Sequence, residues 1–246
     1  MRANLSIMLD SSEKRVALVT GGAKRVGRAI VETLAAEGFR VAFTFKSSES
    51  EAAELAASVN GQAIRADLTE PVAAVRIIRE QLKSQRLDVL VNNASIYYPA
   101  GLSETSPEIM RLLMAIHYES PLLLAQAFAP TLRQSRGHIV NMVDLLAERP
   151  WPQYMPYCAS KAALANLTLS LARELAPEVT VNGIAPGVVE WPPGYPEEEK
   201  QKYLKRVPLQ RPGTPEDVAN LVHFLATGGD YITGQIIRLD GGRSIT

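Results

Sequence analysis

Residues 16–27 read Val-Ala-Leu-Val-Thr-Gly-Gly-Ala-Lys-Arg-Val-Gly, and this stretch decides the fold. The apolar run Val16–Thr20, which two glycines follow, is typical of a buried parallel strand. Helical spacing comes next, with Ile30 and Leu34 on one side, and Gly38 ends the helix. A strand that leads through a glycine-rich turn into a helix is the first half of a βαβ unit.

The same alternation of strand-like and helix-like segments continues along the chain. Strands are predicted at 16–20, 40–45, 62–66, 87–92, 138–142, 179–184 and 235–239, and helices at 26–37, 49–59, from 70, 107–134, 153–176 and 215–227. The pattern predicts an α/β fold, with a single Rossmann-like, doubly wound parallel sheet of about seven strands and helices on both faces. One domain therefore spans 1–246, with 1–14 as a loose N-terminal arm, and Pro121 is predicted to kink the helix over 107–134.

The composition limits the classes of function open to the chain. With 46% hydrophobic and 21% charged residues among 246, it can bury the core of one large domain. Lys plus Arg and Asp plus Glu number 26 each, which argues against a nucleic-acid binder with a basic surface. Cys158 is the only cysteine, no Cys/His cluster has metal-ligand spacing, and no apolar run reaches membrane-spanning length. We therefore expect a cytoplasmic protein without a disulfide, a metal or a membrane partner.

The glycine-rich turn predicts a dinucleotide site. Gly21 permits the tight turn, Gly27 permits close helix packing, and the helix N-terminus offers N–H groups to a pyrophosphate. The spacing is wider than in G-x-G-x-x-G, and Arg25 stands where a further glycine is usual. After the second strand, where an NAD enzyme commonly has an acid, the chain has Lys46-Ser47-Ser48, which suits the 2′-phosphate of NADP. The alternative is a solvated Lys46, with Glu49 as the ribose acid of an NAD enzyme.

Tyr157-Cys-Ala-Ser-Lys161 places a phenol and an ammonium four residues apart. On a helix the two side chains share one face, and a neighbouring cation lowers the pKa of a tyrosine from about 10 toward neutrality. Such a tyrosine can pass a proton to a substrate near neutral pH. The motif is short and also arises by chance, in which case the pair is a solvated helix face.

The segment 186–205 is predicted to be a substrate lid. Pro186, Pro192, Pro193 and Pro196 exclude ordinary helix or strand over most of it. The segment follows the sixth strand at the carboxyl end of the sheet, where open α/β folds bind ligands. The alternative is a passive surface loop.

Four motifs, taken in order, make the chain resemble the short-chain dehydrogenase/reductase family over nearly its whole length. They are the glycine-rich turn, Asn92-Asn-Ala-Ser95 after the fourth strand, Tyr157-x-x-x-Lys161 and Pro186-Gly187. The resemblance implies a homotetramer and the cofactor NADPH/NADP. Its cofactor-binding residues would be Gly21, Arg25, Val26, Lys46, Ser47, Asp67, Leu68, Asn93, Ala94, Ser95, Tyr157, Lys161, Pro186 and Gly187.

Within that family the chain more closely resembles the pteridine reductases and the bacterial dihydromonapterin reductases. Arg25 in the middle-glycine position, the run Ile96-Tyr-Tyr-Pro99 and Asp144 carry this resemblance. Most family members have a serine 13 residues before the tyrosine, where it polarises a carbonyl, and Asp144 stands there in this chain. His117 takes the place of the usual asparagine four residues before a proline, so it either marks this branch or is a packed core histidine.

The resemblance implies a role for each site residue. Tyr157 is the proton donor, Lys161 lowers its pKa and holds the nicotinamide ribose, and Asp144 is the third catalytic residue. Ionised, Asp144 would accept hydrogen bonds from the N–H groups of a pterin, and protonated it would donate to a ring nitrogen; otherwise it caps a turn. The substrate residues are Arg25, Ser95, Tyr97, Asp144 and Tyr157, with Tyr97 stacked on the substrate.

These roles predict NADPH-dependent reduction of a pterin of the dihydrobiopterin, dihydromonapterin or dihydrofolate type, by hydride transfer to a C=N carbon. A ketone or 3-oxoacyl-thioester reductase that tolerates Asp144 is the alternative enzyme. A non-catalytic NADPH-sensing protein is the alternative of another class, and the intact Tyr157 and Lys161 argue against it.

Overall fold

The computed structural model of the chain describes residues 14–82, 86–191 and 194–246. Residues 1–13 of the predicted N-terminal arm, and Pro192 and Pro193 of the predicted lid, lie outside the described residues. Within the described ranges, no helix is both long enough and apolar enough to cross a membrane.

Seven strands of the described chain form one parallel sheet in the order β3-β2-β1-β4-β5-β6-β7. The predicted doubly wound parallel sheet is therefore confirmed. The strands are β1 Val16–Val19, β2 Arg40–Phe45, β3 Gln62–Arg65, β4 Val89–Asn92, β5 His138–Met142, β6 Thr180–Pro186 and β7 Ile236–Leu239.

Helices cover both faces of the sheet. They are α1 Arg25–Ala36, α2 Glu49–Ser58, α3 Pro71–Gln81, α4 Pro107–Met114, α5 Ser120–Ser135, α6 Met155–Glu174, α7 Glu197–Leu204 and α8 Pro215–Thr227. Short 3-10 turns follow β5, at Leu145–Ala147, and β7, at Arg243–Ile245.

Two hydrophobic layers enclose the sheet, because neighbouring residues of a strand point to opposite faces. In β1, Leu18 packs with Ile78 of α3 and Leu124 of α5 in one cluster of buried side chains. Val19 belongs to the second cluster, with Leu34 of α1 among its members. The continuous apolar sequence of β1 follows from this burial on both sides.

The predicted long helix over 107–134 is interrupted before Pro121. A π-helical turn, Ala115–Glu119, separates α4 from α5, and Pro121 lies in the first turn of α5. Proline lacks an N–H and crowds the preceding turn, and the wider π-helical winding there relieves that conflict. The turn also buries His117, which is 1% exposed.

The predicted absence of regular structure in the segment 186–205 is wrong in its second half. Pro186 ends β6, but α7 runs as an ordinary helix from Glu197 to Leu204. Prolines restrict the chain only as far as Pro196, which is the N-cap residue of α7. Three glutamates, Glu197 to Glu199, then favour the first helical turn through the helix dipole.

Candidate active site

A cleft of about 1250 Å³ opens at the carboxyl ends of the strands, where the sheet order reverses between β1 and β4. The predicted site residues in its wall are Gly21, Arg25, Val26, Lys46, Asp67, Leu68, Asn93, Ala94, Ser95, Tyr97, Asp144, Tyr157, Pro186 and Gly187. Two predicted residues are not part of the wall. Ser47 lies outside it, and Lys161 is buried behind it at 2% exposure.

The turn after β1 is held tightly against the loop after β4. Asn93 donates from Nδ2 to the carbonyl oxygens of Thr20 and Gly21, at 2.9 and 3.0 Å. Gly21 has a φ of +63°, and a Cβ on Gly27 would lie 2.1 Å from the Gly21 oxygen. Both glycines are therefore needed for the turn, and they leave the N-terminus of α1 open to the cleft.

Arg25 links this turn to the segment after β6. Its φ of +54° is unusual for a residue with a side chain, and its guanidinium forms an ion pair with Glu190. Both residues line the cleft and both are about half exposed. Sequence reasoning did not identify Glu190, because no spacing rule connects two residues so distant in the chain.

Lys46 lies at the rim of the cleft next to Asp67. Its Nζ is 2.8 Å from Asp67 Oδ2, and the lysine side chain is 60% exposed. Burial would raise the pKa of Asp67, but hydrogen bonds from Lys46 and Thr69 outweigh it and hold that pKa below its ordinary value. The cation of Lys46 is thus near the strand end at which an adenine ribose is held in dinucleotide folds.

The acid and the phenol of the predicted catalytic set meet in the structure. Tyr157 Oη donates to Asp144 Oδ2 at 2.7 Å. The other carboxylate oxygen of Asp144 accepts from the backbone N–H of Leu146 at 2.8 Å, so Asp144 also caps the turn Leu145–Ala147. The capping role and the contact with Tyr157 are therefore compatible, since each uses one oxygen.

The environment raises the pKa of both partners. Burial raises the pKa of Asp144, against the opposing effects of Leu146, Tyr157 and Lys161. Burial also raises the pKa of Tyr157 well above its ordinary value, and the neighbouring Asp144 raises it further. A negative charge and a low-polarity site both disfavour the phenolate, so Tyr157 holds its proton firmly.

In this geometry Lys161 does not outweigh the effects of burial and of Asp144, which raise the pKa of Tyr157. Lys161 Nζ donates to the carbonyl oxygen of Met142 at 2.7 Å and lies 5.9 Å from the centre of the Tyr157 ring. Burial lowers the pKa of Lys161 to about 8, although Asp144 acts in the opposite direction. The ammonium thus faces the backbone of β5, and it does not contact the phenol oxygen.

An aromatic wall stands beside the Asp144–Tyr157 pair. Tyr97 is stacked on Tyr154 with ring centres 4.6 Å apart, and it meets the edge of Tyr157 at 5.0 Å. Tyr97 keeps 46% of its surface exposed. Tyr154 also belongs to the cleft wall.

The outer part of the cleft is also aromatic. Tyr203 of α7 meets Trp151 at 6.3 Å and Trp191 at 5.4 Å between ring centres, and Arg243 lies over its ring at 5.5 Å. Sequence reasoning missed Tyr203, because the segment around it was predicted to lack a helix. A hydrogen bond from the Val188 N–H to the Tyr203 hydroxyl, at 3.3 Å, connects α7 to the end of β6.

His117 approaches the cleft from behind. Its Nε2 is 2.8 Å from Ser95 Oγ and its Nδ1 is 2.8 Å from Ser160 Oγ. Its ring meets the Tyr157 ring edge-on at 5.5 Å. His117 is therefore a buried histidine that also touches two residues of the candidate site.

Comparisons with known proteins show the family of the chain. The family described as Enoyl-(Acyl carrier protein) reductase matches residues 21–244. Pteridine reductase 1 of Leishmania tarentolae is 34% identical, covering 97% of this chain and 99% of that protein. The 3-oxoacyl-[acyl-carrier-protein] reductase FabG of Staphylococcus aureus (strain N315) is 35% identical, over 92% and 96%.

Solved structures of related proteins share the fold of this chain. A blue fluorescent protein from a metagenomic library, in complex with NADPH, matches with a TM-score of 0.88 and 33% identity, covering 94% of this chain and 98% of that one. A short-chain dehydrogenase/reductase from Serratia marcescens BCRC 10948 matches with a TM-score of 0.87 and 33% identity, over 94% and 98%. The names of these proteins span several substrates, so the substrate of this chain has to be argued from its own cleft.

Proposed function

The chain belongs to the short-chain dehydrogenase/reductase family, and from this premise we propose that it is an NADPH-dependent reductase of pterins. The substrate would be of the dihydrobiopterin, dihydromonapterin or dihydrofolate type. Its C=N carbon would gain a hydride and its nitrogen a proton. The bound cofactor supplies that hydride and leaves as the oxidised form.

The cleft fits a nicotinamide dinucleotide. The first residues of α1 line the cleft, so backbone N–H groups at this helix N-terminus can face a pyrophosphate. Leu68 and Ala94 belong to the cleft wall on either side of the β1–β4 switch point. Lys161, buried behind the wall, would hold ribose hydroxyls once its ammonium turns from Met142.

Lys46 supports NADPH over NADH. Its exposed ammonium at the end of β2 can pair with a 2′-phosphate, and its present partner Asp67 is a neighbouring wall residue. The runner-up ribose acid, Glu49, is the first residue of α2 and does not line the cleft. Because Lys46 lines the cleft and Glu49 does not, the position of the ribose 2′ group favours a phosphate.

The contact between Asp144 and Tyr157 carries the proposal of a pterin substrate. A serine in place of Asp144 would donate a hydrogen bond to a ketone oxygen, whereas a carboxylate only accepts. Pterins present amino and ring N–H groups that a carboxylate can bind. Because burial raises the pKa of Asp144, its protonated form is also accessible, and that form can donate to a ring nitrogen.

The side chains of the cleft would have different roles in this reaction. Before a substrate binds, Tyr157 donates its proton to Asp144 at 2.7 Å, and it would deliver that proton to the substrate nitrogen once its hydroxyl turns from the carboxylate. The exposed face of Tyr97 provides a stacking surface for a flat heterocycle, since its other face is covered by Tyr154. Trp151 and Tyr203 add an apolar surface at the outer end of the cleft.

A ketone or 3-oxoacyl-thioester reductase is the second candidate, and the similarity to the FabG protein favours it. NADPH oxidation with dihydrobiopterin, dihydromonapterin, dihydrofolate and an acetoacetyl thioester, measured side by side, separates the two. We expect the pterins to be reduced and the thioester to be reduced poorly. Asp144→Ser should lose pterin reduction, and a variant that keeps it while reducing the thioester faster would overturn the assignment.

A further inference from the structure

His117 is the buried end of a hydrogen-bond chain that reaches the cleft through Ser95. Its Nε2 lies 2.8 Å from Ser95 Oγ and its Nδ1 lies 2.8 Å from Ser160 Oγ. The residue is 1% exposed, so bulk water cannot replace either partner. The position of the imidazole proton therefore decides in which direction the Ser95 hydroxyl points.

Two independent contacts assign the proton to Nδ1. Ser160 Oγ donates to the carbonyl oxygen of Tyr157 at 2.7 Å, and a carbonyl oxygen can only accept. With its single proton used there, Ser160 must accept from Nδ1–H of His117. The backbone N–H of Ile96 points at Nε2 from 3.4 Å, which requires that nitrogen to be bare.

The imidazole stays neutral in this environment. Burial, together with the nearby Lys161, lowers the pKa of His117 to about 2. Nε2 therefore keeps its lone pair over the whole range in which an enzyme of this kind would work, and it needs a donor.

The one proton of the Ser95 hydroxyl has two candidate acceptors, Nε2 of His117 and the phenol oxygen of Tyr157. Tyr157 already bonds Asp144 at 2.7 Å, whereas Nε2 would otherwise keep only the long contact with Ile96. Leaving a buried acceptor unpaired costs about 1–3 kcal/mol, so the proton lies on the His117 side. Ser95 then presents only lone pairs to the cleft.

We propose that His117 is a positioning residue that makes Ser95 a fixed hydrogen-bond acceptor, so that the ligand group beside Ser95 has to carry an N–H donor. The identity of that ligand rests on the proposed function. The amino and ring N–H groups of a pterin meet the requirement, and a ketone or thioester oxygen does not. A carboxamide on the cofactor meets it as well, so the test has one arm for each source.

The proton assignment can be tested without any substrate. In ¹⁵N NMR spectra of protein labelled at its histidines, the His117 signals are those that disappear in His117→Asn. We expect a protonated Nδ1 and a bare Nε2, unchanged between about pH 6 and about pH 9. A protonated Nε2, or a titration in that range, would overturn the proposal.

The selection of donors is tested with Ser160→Ala. This change removes the acceptor of Nδ1–H and frees the His117 tautomer, yet leaves the cleft wall and the Tyr157 side chain intact. N-methylated dihydropterins each lack the donors of one position. In the unaltered protein, methylation at the position that faces Ser95 should lower kcat/KM relative to the parent pterin. We expect this loss to be roughly fivefold smaller in Ser160→Ala, which is the effect of one hydrogen bond.

The second arm uses a cofactor whose carboxamide is replaced by an acetyl group. If the donor is the carboxamide, the weaker binding of this analogue relative to NADPH shrinks in Ser160→Ala, and the pterin penalties stay as they are. A change in either arm supports the proposal, and no change in both overturns it. Failure of the proposed function gives a different result: no pterin is turned over, while the NMR spectra still show a protonated Nδ1 and a bare Nε2 on His117.

Thr168→Ala is the matched control. Thr168 lies on α6 like Ser160, is equally buried, donates to Leu164 O and accepts from Asn141 Nδ2. Its loss removes the same kind of buried hydroxyl at a position that does not line the cleft. Discrimination among the ligands should stay as in the unaltered protein, and an equal change in both variants would show a general loss of packing and overturn the proposal.

Discussion

Tyr157 Oη donates a 2.7 Å hydrogen bond to Oδ2 of Asp144, which stands thirteen residues earlier, just beyond β5. This bond joins a helix to a strand end, so it fixes the phenol of α6 over the carboxyl edge of the sheet. It also couples the protonation of the two groups, because a charge on either one raises the energy of a charge on the other.

The first prediction concerns the phenol. Tyr157→Phe keeps the ring contacts with Tyr97 and His117 but removes the proton donor. We expect kcat for pterin reduction to fall by about 10²–10⁴-fold, because a general acid contributes on that order, and NADPH affinity to fall far less. Steady-state rates and fluorescence titration with NADPH measure the two quantities.

Tyr154→Phe is the matched control for the first prediction. It keeps the stacking of Tyr154 on Tyr97 and leaves the Asp144–Tyr157 bond in place. Its kcat should change by less than about fivefold. Similar losses in both variants would show that the wall of aromatic rings, and not the Tyr157 proton, limits the reaction.

The second prediction is a stability difference that depends on pH. Because burial raises the pKa of Asp144 in the folded state, the folded protein keeps a proton that the unfolded chain loses above the ordinary pKa. This contribution to the free energy of unfolding is present at low pH and is lost as the pH rises through the folded pKa. Asp144→Asn has no such loss, so we expect its stability relative to the unaltered protein to increase as the pH rises from about 4.

Asp217 provides a control of opposite sign. Arg211 lowers the pKa of Asp217, so its stabilising effect appears as the carboxylate forms and is lost as the pH falls through its folded pKa. Asp217→Asn should therefore lose stability against the unaltered protein as the pH rises. Urea unfolding across a pH series measures both variants, and the same sign in both would refute the assignment for Asp144.

The third prediction concerns the choice of cofactor. Lys46→Ala should weaken NADPH binding by about 10- to 100-fold and leave NADH binding unchanged, because a charge-assisted hydrogen bond contributes roughly 1.5–3 kcal/mol. Ser47→Ala should have little effect, since Ser47 lies outside the cleft wall. Lys202→Ala removes an equally exposed lysine from α7 and controls for net charge. If Lys46→Ala weakens NADPH and NADH binding equally, Lys46 does not bind the 2′-phosphate.

Much of this architecture follows from local sequence rules. A strand that is buried on both faces of the sheet, as β1 is, has a continuous apolar sequence, and such sequences predicted the strands. The glycine turn was predictable because the tight packing at Gly27 admits no side chain, and this requirement appears in the sequence as a glycine. Asp144 and Tyr157 were predictable as a pair, because a residue just after β5 and one near the start of α6 meet at the same edge of the sheet.

Partner choice was not predictable, because it depends on distances that no spacing encodes. Lys161 bonds the Met142 carbonyl, a backbone atom that is the same in any sequence. The pKa of Tyr157 depends on its burial more than on the lysine four residues away. The π-helical turn around His117 precedes Pro121, and a proline in the sequence predicts a break in the helix but not the form of its winding.

The fourth prediction concerns the ion pair between Arg25 and Glu190, which spans the cleft from the glycine turn to the segment after β6. For Arg25 to reach a pyrophosphate it has to leave Glu190. Exposed ion pairs contribute about 0–1 kcal/mol, so Glu190→Gln should tighten NADPH binding by up to roughly fivefold. Arg25→Gln should weaken it.

The double variant Arg25→Gln/Glu190→Gln completes a cycle that isolates this competition. If Glu190 acts only by holding Arg25, its substitution has no effect on NADPH affinity once Arg25 is gone. Titrations at low and high salt add a second criterion, because screening weakens the exposed pair and should reduce the gain in Glu190→Gln. A gain that persists in the double variant would mean that Glu190 repels the cofactor phosphates directly, and Arg25 would then have no gating role in cofactor binding.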